Sequence, residues 1–148
     1  MDYLVQVIAS FIGSAGFGII FNVPRESIVK CGFVGMIGWM SYYILSQNFI
    51  GIIPATAIAS AIIALISQVF AKIYKTPMTI FIVGGIIPLV PGGMAYNAMR
   101  HFVENDYNVA ISLAAKLTLI SGSIAIGLIF AEVLYQITMK CFKSIKLN

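Results

Sequence analysis

Few side chains in this sequence can do chemistry, and most of them cluster around one interrupted apolar stretch, TPMTIFIVGGIIPLVPGGMAYNAMRHF. Pro88 and Pro91 carry no amide hydrogen, and Gly84, Gly85, Gly92 and Gly93 loosen a helix, so a spanning helix must break here. A helix that restarts after the break points the free amides of Gly92, Gly93 and Met94 at whatever anion enters, a carboxylate above all. Tyr96 and Asn97, about one turn further on, supply a hydroxyl and an amide for a small polar substrate, and Arg100 adds a cation. Counting from Pro77 at about 1.5 Å per residue, Pro88 lies roughly 16 Å in, half of a ~30 Å hydrocarbon core. The break is therefore expected at the midplane, where irregular backbone lines a cavity. The plainer alternative is a proline kink that holds no ligand.

Two further charges fall inside an apolar run, Lys116 and Glu132. Ionisable groups at such positions suggest ion or proton coupling. Their sixteen-residue separation also permits a bland arrangement, with Lys116 snorkelling to one surface and Glu132 pairing with a lysine at the other. Glu132 and Arg100 are the candidates for coupling. His101, the sole histidine, sits beside Glu104 and Asp106 and reads as a solvated loop residue. No nucleophile, base and orienting partner can be assembled, no phosphate loop is present, and no Cys/His cluster forms a metal site. The expectation is a non-enzyme with no cofactor and no metal. Cys31 and Cys141 have no C-x-x-C partner and are expected as free thiols.

The elements that must position these residues follow from composition. With 60% hydrophobic and 9% charged residues in a chain of 148, there is too little polar surface for a soluble globule. The uncharged runs divide into spans of about 20 residues, expected at 3–22, 28–45, 49–71, 77–103 (broken at Pro88–Gly93) and 109–138. No connection is long enough for a soluble core, so residues 1–148 form a single all-α transmembrane domain. The first run follows Met1-Asp2 without a basic leader or an A-x-A-like site and reads as a retained helix. The net charge of +4 reflects topology rather than nucleic-acid binding, because the cations sit singly at span ends. Arg25, Lys30, Lys72, Lys75, Lys140, Lys143 and Lys146 gather on one side, and Arg100 and Lys116 on the other. By the positive-inside rule the N-terminus is outside, the C-terminus is cytoplasmic, and the broken stretch is a full span.

Small residues recur along each span: Ser10, Ser14 and Gly18; Gly32, Gly35 and Gly38; Gly51, Ala55 and Ala59; Ser60 and Ala64; Ser123, Gly127 and Ala131. They mark helix-packing faces. Trp39, Tyr42 and Tyr43 gather near one end of the second span, as an interfacial belt does.

Two stretches carry a family resemblance, GFGIIFNVP at residues 16–24 and IIPLVPGGMAYNAM at 86–99. In both, the chain resembles the threonine/serine exporter family, specifically its small membrane subunit. The resemblance implies a bacterial cytoplasmic-membrane protein that works with a second membrane subunit of the same family, as part of a secondary exporter of threonine- or serine-type amino acids. A dicarboxylate exporter and a non-transporting scaffold subunit are the alternatives, and an oligomer is possible. Asn22, Pro24, Pro88, Pro91, Gly92 and Tyr96 are the positions that match the family motifs, and Gly93 departs from the pattern.

Overall fold

A computed structural model describes the backbone of residues 2–48 and 50–145, and the side chains of 3–47 and 50–140. Phe49, Cys141, Lys143 and Lys146, named above as a span start, a free thiol and two cytoplasmic lysines, fall outside the described side chains. Among the described residues the fold is all-α. Six helices follow in order: α1 Asp2–Ile20, α2 Arg25–Asn48, α3 Ile52–Tyr74, α4 Met78–Ile86, α5 Gly92–Val103 and α6 Tyr107–Ile145, with a 3-10 turn at Ile87–Leu89. Four helices are long and apolar enough to cross a membrane, and α4 with α5 forms a fifth candidate, bent by 54°.

Three helices end on a left-handed residue that is not glycine: Asn22 (φ 54), Lys75 (φ 52) and Asn105 (φ 63). At the end of α1, Val23 donates its amide to the Gly18 carbonyl at 2.9 Å and Asn22 donates to that of Ile19 at 3.0 Å, closing the last turn before Pro24. Asparagine tolerates this conformation better than most residues, so the residue type at position 22 follows from the turn.

α2 lies at the centre, packed on α1, α3 and α4. Its glycines allow the close approach. A Cβ at Gly35 would collide with Ser14 of α1, one at Gly38 with Ile63 of α3, and one at Gly32 would come to 2.8 Å from the Phe11 ring. α4 returns the fit: a Cβ at Gly84 would sit 2.9 Å from Cys31, and one at Gly85 would sit 2.7 Å from Val34. Cys31, Val34, Ile63 and Phe81 are fully buried in the resulting core. Most of the small-residue rows expected from the sequence are thus packed faces, with Ser10, Ser14, Ala55, Ala59, Ser60, Ala64, Ser123 and Ala131 all buried, whereas Gly51 is exposed.

α6 runs alongside α3 in the same direction. Gly127 lies against Ala57 and Ser60, and Lys72 Nζ reaches Met139 Sδ at 3.0 Å near the far end. Lys30 stacks 3.4 Å from the Tyr74 ring centroid, so Lys30, Lys72, Lys75 and Lys140 share one end of the bundle. Because α3 and α6 both finish there, α4 and α5 together carry the chain from that end to the opposite one, where the chain turns into α6. With 39 residues, α6 is about 58 Å long, against about 34 Å for α3. Its first turns therefore overhang the bundle, and α5 packs almost entirely on this overhang.

The glycine contacts give a direct test. Gly127→Ala drives a methyl into Ser60 and the Ala57 backbone and should lower stability by about 1–3 kcal/mol. Gly122→Ala, with open space at its Cβ, should be neutral or stabilising by up to ~1 kcal/mol. Reversible unfolding in detergent, followed by helical circular dichroism, separates the two; equal effects would remove the α3–α6 contact as the cause.

Candidate functional site

The break is set by two prolines acting differently. Pro88 lies inside the 3-10 turn, where its missing amide hydrogen costs α4 a continuing bond. Pro91 forces the preceding Val90 out of the helical region, to φ −65 and ψ 124, and α5 starts at the next residue. The amides of Val90 and Gly92 are met locally, by Ile86 and Val90 carbonyls at 3.1 and 2.8 Å. Those of Gly93 and Met94 are first-turn donors with no earlier turn of helix to receive them.

The break stands at different levels against different helices. Leu89, Val90 and Pro91 face Ile52 and Thr56, the first turns of α3, whereas Ile63 marks its middle. Against α1, however, Pro88 meets Ser10 and Gly13, which stand at the middle of that helix, and Trp39 beside it lies about 4 Å from the middle of α2. The glycines at the start of α5 do not point into the protein interior: Gly92 and Gly93 are exposed, with open space where a Cβ would stand.

What the break does line is a groove. Pro88, Leu89, Val90 and Pro91 form one wall, Trp39 and Tyr42 of α2 another, Thr56 the floor and Met94 the rim, enclosing about 220 Å³. Through the shared Ile52, Met94 and Ile120 it opens into a wider apolar groove of about 480 Å³, where Lys116 stands beside Gly51 and Pro54. Trp39 and Tyr42 are 5.2 Å apart between ring centroids, and the Trp39 indole donates to Gln6 Oε1 at 2.8 Å, which fixes the ring. On the far side of Trp39, Pro88 and Ile87 meet Ser10 and Gly13 of α1 around a second hollow of about 220 Å³.

Of the residues expected to contact substrate, Pro88 and Pro91 line this groove, and Gly92 and Gly93 begin the helix at its rim. Tyr96 and Arg100 lie elsewhere, on an exposed surface of the α5–α6 hairpin with Met99, Val103 and Glu104. Arg100 Nε donates to Glu104 Oε1 at 2.9 Å, which holds the Glu104 carboxyl below its usual range. The pair therefore forms at neutral pH and is lost as acid protonates Glu104, and its full exposure leaves it little weight. Asn97 is exposed on α5, and Asn22 occupies the turn between α1 and α2, at the opposite end of the bundle from the break. Among the described residues Glu132 pairs with no lysine; its partner is Gln136, whose Nε2 donates at 3.4 Å.

Lys116, Trp39, Tyr42 and Thr56 join the break only through the helix register. Lys116 looked like an interfacial lysine and the aromatics like a belt. The signal that unites them is the short turn at 104–106, which folds α6 back on α5 and brings Lys116 level with Met94.

A multi-pass helical membrane protein with a bent helix pair beside a groove is the class that this geometry defines. Within that class the match is specific: the family described as Threonine/Serine exporter, ThrE matches residues 6–134, and the chain belongs to that family. It is also similar to a Haemophilus influenzae protein described only as uncharacterized, 28% identical over 143 residues that cover 91% of this chain and 48% of that protein. The chain thus spans about half the length of this relative. No solved structure matches it.

If Pro91 imposes the bend, Pro91→Ala should let Val90 return to the helix and straighten α4 on α5. Straightening lengthens the distance between spin labels at Thr79 and Phe102 by roughly 3–4 Å for two arms of about 16 Å. An unchanged distance would assign the bend to the α5–α6 contact instead.

Proposed function

We propose that this chain is one part of a two-component secondary transporter that exports threonine, serine and similar small amino acids across the bacterial cytoplasmic membrane. Family membership supports the transport class, and the distribution of lysines supports an N-terminus outside and a cytoplasmic C-terminus. The observation that carries the substrate reading is the groove at the break. One end offers the faces of Trp39 and Tyr42, which attract an ammonium group. The other offers Lys116, which takes part in no described salt bridge and attracts a carboxylate, next to the first-turn amides of α5. A zwitterion meets both ends. A dicarboxylate leaves the aromatic end without a cation, so it is the weaker fit.

Trp39 is the sole tryptophan, and its emission reports on the groove directly. Threonine added to the protein in nanodiscs should produce a saturable change in that emission. Succinate should compete poorly. Lys116→Gln should raise the half-saturating concentration about tenfold, the effect of losing a charge-assisted hydrogen bond of ~1.5 kcal/mol. A response to succinate but not to threonine would replace the substrate reading by the dicarboxylate one. In inverted vesicles containing both components, labelled threonine should accumulate, and Pro91→Ala and Gly92→Leu should slow it without preventing membrane insertion. Transport that is absent with both components present would overturn the exporter reading.

A further inference from the structure

α6 has two faces with opposite surroundings. Ile120, Ser123, Gly127 and Ala131 are buried, the last three expected as a packing row, and Gly127 meets α3 directly. The other face, through Thr118, Ser121, Gly122, Ala125, Ile129, Glu132 and Gln136, is exposed along its whole length. These positions fall at three- and four-residue intervals and form one stripe. A Cβ at Gly122 would meet nothing within 4 Å, so the surface there is flat and open. The register against α3 places Glu132 level with Leu65, near the middle of α3. A carboxylate at that depth, with the Gln136 amide as its partner among the described residues, cannot face hydrocarbon at low cost.

We propose that this face docks a second membrane protein, one corresponding to the part of the Haemophilus relative that lies outside the match, and that this partner presents a cation or hydrogen-bond donor to Glu132. The inference rests on the two-component reading given above. Two observations select this occupant. The relative is about twice as long as the matched region, so a further unit of similar size accompanies this one in a single chain there. A second copy of the present chain fits badly: two copies with the same membrane orientation would meet across a two-fold axis with α6 parallel to α6, setting Glu132 against Glu132. A partner with small residues can approach the smooth stretch from Thr118 to Ala125 closely, and its donor satisfies the carboxylate below it.

The test is site-specific photocrosslinking in the membranes of the native host, with p-benzoylphenylalanine at Ala125. The expected product is an adduct whose partner peptides, identified by mass spectrometry, align with the unmatched part of the Haemophilus relative. Glu132→Lys should reduce its yield at least tenfold. Gly122→Leu, a change that the isolated chain accommodates, should also reduce it. An adduct of twice the chain's mass would replace the partner by a second copy, and lipid adducts alone would overturn docking at this face. The adduct should form whether or not the assembly transports threonine, so failure of the substrate reading leaves it in place. Threonine transport without the adduct would overturn the docking face and leave the exporter reading standing.

Discussion

The closeness of α2 to its neighbours is the constraint on which the rest of the structure depends. In a bilayer, helices gain nothing from hiding apolar surface, so their association needs close backbone approach and dense contact. Gly35 and Gly38 on α2, with Gly84 and Gly85 on α4, remove the side chains that would hold these helices and α3 apart. Ile63, Val34 and Phe81 fill what remains. Only because α4 is held so tightly through Gly84 and Gly85 does the chain reach Pro88 in a fixed place, beside Trp39 and Thr56.

The break is the reverse case, a place where the chain gives up regular hydrogen bonding near the end of a tightly packed segment. The amides of Val90 and Gly92 find adjacent carbonyls, and the two prolines have no amide hydrogen to satisfy, so the irregular turn costs little where it stands. The side chains that gather around it come from four other helical segments: Trp39 and Tyr42, Thr56, Met94, and Ile120 with Lys116. The ring orientation of Trp39 is secured from α1 through Gln6. A site assembled from so many segments is sensitive to any relative shift between them.

Much of the fold was legible because membrane helices obey few rules. Apolar run length located the four long helices, and small residues at three- and four-residue intervals located the packed faces, from Ser14 against Gly35 to Gly127 against Ser60. Pro91 marked the break. The overhang was not legible, because no local signal in the sequence says that α6 continues past the start of α3. The same gap hid Lys116, which becomes part of the groove only when the turn at Asn105 folds α6 back along α5. Asn22 has a structural reason of its own. It stands in a motif that matches the family, and its left-handed backbone accounts for it without a ligand.

The overhang also has a mechanical meaning. α5 is tied to the bundle by one extended residue, Val90, while its other end is carried by the unbroken rod of α6. That is a crank with one pivot and one stiff arm. A rotation of about 10° at Val90 would swing the far end of α5, about 18 Å away, by roughly 3 Å. Any flexing of α6 along α3 would be delivered to the same pivot, widening or narrowing the gap between Met94 and Trp39.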